Sequence, residues 1–114
     1  MEDNRQERRI PLCAGTTLTK SNGDDRIEAE LVDISYYGVS LKTSAPLKTN
    51  ERIKVSLTLN IQDQPVHSEE APGSVRWVER SKEIYSAGIM FDIKINDKGF
   101  PIFHRCLEYL KSRE

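Results

Sequence analysis

Residues 53–61 carry the clearest alternation of apolar and polar side chains in this sequence. Successive side chains of a β-strand point to opposite faces, so apolar residues at every second position predict a long strand with one buried face. This pattern favours a mainly β fold. The apolar positions are Ile53, Val55, Leu57, Leu59 and Ile61.

Five other segments predict strands before and after this one. Asn22-Gly23 is typical of a hairpin turn, whereas Pro46 and Pro65 are expected to end strands because proline lacks an amide donor. Six antiparallel strands can close into a small barrel whose interior is filled by side chains, so a ligand is expected to bind outside it. The first segment begins at Ile10, the second contains Ile27, Ala29 and Leu31, and the third contains Val39 and Leu41. The fourth covers 68–79, and the fifth covers 84–93 with Ala87, Ile89, Phe91 and Ile93 on one face.

The two ends of the chain differ from this central part. Residues 1–8 are almost wholly polar and are expected to form a flexible N-terminal arm, followed by the barrel over residues 9–95. Residues 96–114 are predicted to form a C-terminal α-helix packed on the barrel, with Asn96 or Asp97 as its N-cap. The helical spacing is that of Phe100, Phe103, Leu107 and Leu110.

Length and charge limit the function of the chain. Its 114 residues predict one domain with no room for a separate catalytic domain, so no enzyme activity is expected. The net charge of −1 gives no broad positive field for a nucleic-acid polymer or an anionic membrane. No segment approaches the roughly 20 apolar residues of a membrane span, and no apolar targeting segment begins the sequence, so a cytoplasmic protein is expected.

The cysteines and histidines favour structural roles. A disulfide between Cys13 and Cys106 is conceivable, but cytoplasmic cysteines are more often reduced, and Cys106 falls on or beside the apolar stripe of the predicted helix. His67 and His104 are too scattered to complete a metal-binding cluster, so neither a metal nor a cofactor is expected.

Two polar motifs point to a ligand. Arg5 and Arg9 are four residues apart, and guanidinium groups offer donors that fit phosphate oxygens two at a time. Asp33 and Ser35 begin the segment Asp33-Ile34-Ser35-Tyr36-Tyr37-Gly38, and a carboxylate beside a hydroxyl can accept hydrogen bonds from the polar edge of guanine. Together the motifs favour a small phosphate-bearing purine ligand.

The order and spacing of these motifs resemble the PilZ domain family, whose signature is Arg-x-x-x-Arg followed by Asp/Asn-x-Ser-x-x-Gly. Members of this family bind the bacterial second messenger cyclic di-GMP. Arg9-Ile10-Pro11-Leu12, Ser74-Val75-Arg76-Trp77-Val78 and Ala87-Gly88-Ile89-Met90-Phe91 are similar to its first, fifth and last strands. The resemblance implies a six-stranded PilZ-like barrel and a cyclic di-GMP receptor of the bacterial cytoplasm.

The resemblance also implies which residues contact the ligand. Arg5 and Arg9 are expected to grip phosphate and to stack on guanine, something a lysine cannot do because it has no flat face. Asp33 and Ser35 are expected to bind the guanine edge and to exclude adenine. Gly38 is expected to supply a positive φ for the turn that follows the motif.

Other residues are left with two interpretations. Trp77 is either a core residue or a stacking surface for guanine, because a lone tryptophan in a barrel strand is usually buried, yet the equivalent strand of the family borders the ligand. Arg8, Arg76 and Arg80 are secondary candidates for phosphate or base contacts, with a solvated surface charge as the other interpretation. Asn4 stands where many relatives have a further arginine, which favours one bound ligand molecule over a pair.

The expected function is a receptor in which cyclic di-GMP folds the arm onto the barrel and the changed surface signals to an unidentified protein partner. The alternative is a ligand-independent protein-interaction module on the same barrel, which docks a partner through the arm or through Tyr36 and Tyr37. A nucleic-acid-binding barrel is disfavoured, because balanced charge and sparse aromatic residues give no extended backbone groove.

Overall fold

The computed structural model describes residues 14–20 and 26–112. These residues form seven strands and one helix. The predicted N-terminal arm and the predicted Asn22-Gly23 turn lie outside the described residues. The elements are β1 (Ala14–Lys20), β2 (Arg26–Ile34), β3 (Gly38–Thr43), β4 (Arg52–Ile61), β5 (Gln64–His67), β6 (Ala71–Ser81), β7 (Ile84–Phe91) and α1 (Pro101–Ser112).

Six of the strands close into the predicted antiparallel barrel. The strands follow one another in the order β1-β2-β3-β7-β6-β4, and β1 also pairs with β4, which closes the ring. Inward-facing side chains of β4 such as Ile53, Val55 and Leu57 are fully buried, as the alternation of the sequence predicted. Apolar side chains from the surrounding strands fill the interior, so ligand pockets form on the outer surface.

The seventh strand, β5, was not predicted. The expectation that Pro65 ends β4 is wrong, because the chain turns back earlier, at Gln62 and Asp63, which have positive φ values of 54° and 66°. β5 then pairs with the end of β4, with Pro65 opposite Asn60. The second residue pair from such a tight turn is not mutually hydrogen-bonded, so the missing donor of the proline faces the outer edge of the sheet.

The last barrel strand ends earlier than predicted. β7 stops at Phe91, so Ile93 lies beyond it and is 57% exposed, which corrects its expected place on the buried face. Ile95 is buried instead, and its amide donates a hydrogen bond of 2.9 Å to the carbonyl of Tyr36 in the β2–β3 loop. The chain therefore leaves β7 alongside that loop before it reaches the helix.

Helix α1 packs its apolar face on the barrel near β4 and β5. Phe103, Leu107 and Leu110 are buried in this contact, as the helical spacing predicted. Cys106 is a free, buried thiol on the same face. Burial is the main cause that raises the pKa of Cys106 to about 11, so near neutral pH the thiol stays protonated and serves as a core residue. None of the described residues forms a helix long and apolar enough to cross a membrane.

The N-terminus of α1 is capped by a residue distant in sequence. The expectation of Asn96 or Asp97 as N-cap is wrong, because the side chain of Asn96 instead accepts hydrogen bonds from amides of the turn before the helix. Glu69, which lies between β5 and β6, accepts hydrogen bonds from the amides of Ile102 and Phe103 at 2.9 and 2.8 Å. Its carboxylate therefore satisfies two amides of the first helical turn and fixes the helix to the barrel.

Candidate functional site

A pocket of about 350 Å³ opens on the outer surface of the barrel, where the β2–β3 loop meets β6 and β7. Pockets that hold small molecules commonly have volumes of about 300–1,000 Å³. We call this feature the loop pocket. It is lined by five residues singled out in the sequence: Asp33, Ser35, Gly38, Arg76 and Trp77.

Asp33 reaches the loop pocket because β2 contains a β-bulge. The register with β3 shifts between Leu31 and Asp33, which makes Val32 an extra residue. In a regular strand Asp33 would share the inner face with Leu31, which is buried, whereas the extra residue moves Asp33 to the exposed face and turns Ile34 toward the core. The structure gives the exposed Asp33 carboxylate no hydrogen bond or ion pair to any described residue.

A second bulge presents Arg76 and Trp77. The register between β6 and β7 shifts between Val75 and Trp77, so Arg76 is the extra residue. Val75 is fully buried, but Trp77, which a regular strand would place on the same inner face, is 44% exposed. Trp77 is therefore a wall of the loop pocket and not a core residue.

The indole of Trp77 rests on the backbone of Gly88, its partner on β7. A Cβ at Gly88 would lie 2.0 Å from the indole Nε1, so only glycine leaves room for the ring in this position. Arg76 is held nearby, with its Nη1 3.5 Å from the sulfur of Met90. The pocket thus combines a flat aromatic ring with a cation.

Ser35 both shapes the loop and faces the pocket. Its amide donates to the carbonyl of Gly38 at 2.9 Å, and its Oγ accepts a hydrogen bond of 3.1 Å from the amide of Tyr37. These are the contacts of a capped turn. The Oγ is 3.5 Å from the Gly38 carbonyl, which is long for a hydrogen bond, so the hydroxyl proton remains available to a ligand.

Gly38 has a different role from the one predicted. No glycine among the described residues has a positive φ, so the expected left-handed turn at Gly38 is wrong. A Cβ at this position would lie 2.3 Å from the carbonyl oxygen of Ile89 and 3.3 Å from the Cα of Met90. Gly38 is therefore required by the close approach of β3 to β7 at the floor of the pocket.

Two exposed residues of the pocket were not among the predicted ligand contacts. Tyr37 is 60% exposed and Met90 is 48% exposed, and both line the pocket. The ring of Tyr37 also lies 5.6 Å from the Nζ of Lys94. Alternation along β7 was a signal for Met90, because its neighbours Ile89 and Phe91 are buried and it must point outwards.

The predicted arginines are only partly described. Arg5, Arg8 and Arg9 lie outside the described residues, so their part in the site stays a prediction. Arg80, another secondary candidate, is at the β6–β7 hairpin and does not line the loop pocket: its Nε donates to the carbonyl of Lys82 at 2.9 Å.

A second pocket of about 780 Å³ lies near the β6–β7 hairpin. It is larger than the loop pocket but contains neither motif, and its walls mix acidic and basic side chains such as Glu28, Glu30, Lys42 and Lys82. Volume alone would favour this pocket, whereas the arrangement of donors, acceptors and an aromatic ring favours the loop pocket. Within the described part of the chain, no three His, Cys, Asp or Glu side chains converge on a position that could hold a metal ion.

Comparison with known proteins assigns most of the chain to one family. A sequence model of the PilZ domain matches residues 3–108, which include both motifs, all the strands and most of α1. No individual curated protein matches the chain.

Proposed function

Since the chain belongs to the PilZ domain family, whose members are cyclic di-GMP-binding modules, we propose that it is a receptor for this dinucleotide. The observation that carries the proposal is the meeting of Asp33, Ser35 and Trp77 in one pocket, although they come from different strands and loops. These side chains supply an acceptor, a hydroxyl and a stacking surface, which together suit a guanine base.

In the proposed complex, guanine stacks on the exposed part of the Trp77 indole and turns its polar edge to Asp33. A carboxylate accepts hydrogen bonds from the ring N–H and the amino group of guanine together. Adenine lacks this pair of donors and would leave the Asp33 carboxylate desolvated and unpaired, so the same contacts select guanine over adenine.

The phosphates are assigned to Arg5 and Arg9, with Arg8 and Arg76 as secondary contacts. The topology supports this assignment, because Gly15 pairs with Glu30 and the chain therefore enters β1 at the end of the barrel where β2 leads to Asp33. An extended chain spans at most about 3.3–3.6 Å per residue, so the chain between Arg9 and Ala14 allows Arg9 to lie up to about 17 Å from the start of β1. Asn4 in place of a further arginine favours one ligand molecule.

We infer that binding orders the segment that carries these arginines and so changes the surface offered to a protein partner in the cytoplasm. Ordering costs about 1–2 kcal/mol of backbone entropy per residue, which the phosphate and base contacts must exceed. A micromolar dissociation constant requires a net free energy of about −8 kcal/mol.

Calorimetric titration with cyclic di-GMP tests the proposal. Wild type is expected to bind, and Arg9→Ala and Asp33→Ala are each expected to bind at least about tenfold more weakly, because a hydrogen bond to a charged group contributes about 1.5–3 kcal/mol. Arg26→Ala is the matched control, since it removes an exposed arginine of β2 at the far end from the loop.

Two results would contradict the proposal: no heat with wild type, or equal affinity of wild type, Arg9→Ala and Asp33→Ala. Titration with cyclic di-AMP separates base recognition from simple phosphate binding, and comparable affinity for both dinucleotides would refute the assigned role of Asp33.

A further inference from the structure

One side chain of the β2–β3 loop points away from the loop pocket and contacts helix α1. Tyr37 lines the pocket, but its neighbour Tyr36 does not and instead reaches helix α1. The phenol of Tyr36 donates a hydrogen bond to the carboxylate of Glu108, and the Tyr36 ring lies 5.6 Å from the ring of His104. The Nζ of Lys111 is also 5.6 Å from the Tyr36 ring. Adjacent residues of one short loop therefore contact the pocket and the helix.

The main chain of the loop is fixed on its other side. The carbonyl of Tyr36 accepts a hydrogen bond from the amide of Ile95, and the carbonyl of Tyr37 accepts one from the amide of Phe91, each at 2.9 Å. These bonds hold the loop against the end of β7 but leave the direction of the Tyr36 side chain undetermined. The side chain packs partly against the core and beside His104 and Lys111, and the hydrogen bond to Glu108 holds its phenol on helix α1.

Helix α1 is a firm support for this contact. Its buried face, including Phe103 and Leu107, and the cap from Glu69 fix the helix on the barrel, so Glu108 has a set position relative to the β2–β3 loop. A hydrogen bond from a neutral donor to a charged acceptor is stronger than one between neutral groups. The carboxylate also keeps the phenol protonated: the hydrogen bond to Glu108 raises the pKa of Tyr36.

We propose that Tyr36 and Glu108 are positioning residues of the ligand-binding loop, through which helix α1 sets the placement of Ser35 and Tyr37 in the loop pocket. The inference rests on the proposed function and deepens it, because it names a structural element outside the pocket that controls its affinity. A change in the helix then alters the affinity for the ligand, and ligand binding alters the conformational equilibrium of the helix by the same coupling free energy.

Titration of variants with cyclic di-GMP tests this coupling. Tyr36→Phe and Glu108→Ala are each expected to raise the dissociation constant about threefold to tenfold, the effect of one partly exposed charged hydrogen bond. The dissociation constant of the double variant is expected to be no higher than that of the single variant with the lower affinity, because both changes remove the same contact. Glu108→Gln keeps an acceptor for the phenol but loses its charge, so its dissociation constant is expected to lie between those of wild type and Glu108→Ala.

Arg105→Gln is the matched control, since Arg105 is an exposed charged residue of the same helix with no assigned contact to the loop. It is expected to bind like wild type. Unchanged affinity of Tyr36→Phe and Glu108→Ala would overturn the proposal, as would strictly additive effects in the double variant.

The coupling also has a test without ligand. Glu108 is 72 positions from Tyr36 in sequence, so Glu108→Ala should shift the amide resonances of Ser35, Tyr37 and Gly38 only through the contact between them. Arg105→Gln should not shift them. If wild type fails to bind cyclic di-GMP, the proposed function falls, and these resonances alone decide the positioning role: their invariance in Glu108→Ala would overturn it.

Discussion

Gly38 and Gly88 both line the loop pocket, and at each of them a neighbouring group lies where a side chain would be. The neighbouring group differs between the two positions. At Gly38 the neighbour is backbone, the carbonyl of Ile89, which cannot turn aside. At Gly88 it is the indole of Trp77, which can turn aside only by leaving the pocket wall. The two positions therefore predict different consequences for the same substitution to alanine.

Gly38→Ala is expected to destabilise the fold, because the new Cβ would lie 2.3 Å from the Ile89 oxygen. Overpacking of this kind commonly costs about 1–3 kcal/mol in the free energy of unfolding, which urea denaturation can measure. Gly15→Ala is the matched control, since its nearest contact would be an ordinary 3.9 Å. A Gly38→Ala protein as stable as the Gly15→Ala protein would contradict the close approach of β3 and β7.

Gly88→Ala is expected to change ligand affinity by displacing Trp77, whose ring lies where the new methyl group must go. Loss of one base–aromatic stack costs about 1–3 kcal/mol, which corresponds to a rise of roughly 5-fold to 150-fold in the dissociation constant. Trp77 is the sole tryptophan of the chain, so its fluorescence reports both the displacement and the binding. Unchanged emission and affinity would show that the indole does not form the pocket wall.

The sequence predicted which residues form the site better than it predicted the structural role of each. Asp33, Ser35 and Trp77 line one pocket, but the purpose of Gly38 was misjudged because a close approach between strands depends on sheet register, which a local motif does not contain. Sheet register also decides which outward side chains of β7 reach the pocket, so alternation indicated that Met90 faces outwards but not that it lines the site.

At the scale of the elements, the helix and the bulges connect distant parts of the chain. Glu69 reaches across from the β5–β6 connection to the first turn of α1 and takes the place of a local N-cap. A cap from so far along the sequence leaves no signal next to the helix, which is why Asn96 and Asp97 were the expected candidates.

Glu69→Ala is expected to lower the free energy of unfolding by about 0.5–2 kcal/mol, because it leaves two amides of α1 without their acceptor. Glu70→Ala is the control: it removes the neighbouring carboxylate, whose contact is an exposed 3.2 Å hydrogen bond from Thr19. Urea denaturation of both variants measures the difference. Equal losses in the two variants would contradict a specific capping role for Glu69.

The two bulges explain what strict alternation could not predict. A period of two places Leu31 with Asp33, and Val75 with Trp77, on the same face, and only an extra residue in each strand separates them. The resulting outward turn of Asp33 and Trp77 builds the loop pocket. β5 was missed because Pro65 was expected to end a strand, whereas a strand at the edge of a sheet tolerates proline.

At the scale of the whole molecule, side chains fill the interior of the closed barrel, so among the described residues a ligand must bind on the outer surface. The alternation in β4 and β7, together with the helical spacing of α1, was sufficient to predict this architecture, because burial of an apolar face acts over whole elements and not on single contacts. Of the two outer pockets described above, we favour the smaller one as the ligand site for its chemistry.

The amide resonances of the wild-type protein, recorded with and without cyclic di-GMP, test this choice most directly. We expect the largest shifts at Asp33, Ser35, Gly38 and Trp77, together with little change at Glu28 and Ile84 in the second pocket. The largest shifts in the second pocket, or no shifts in either pocket at saturating dinucleotide, would contradict it.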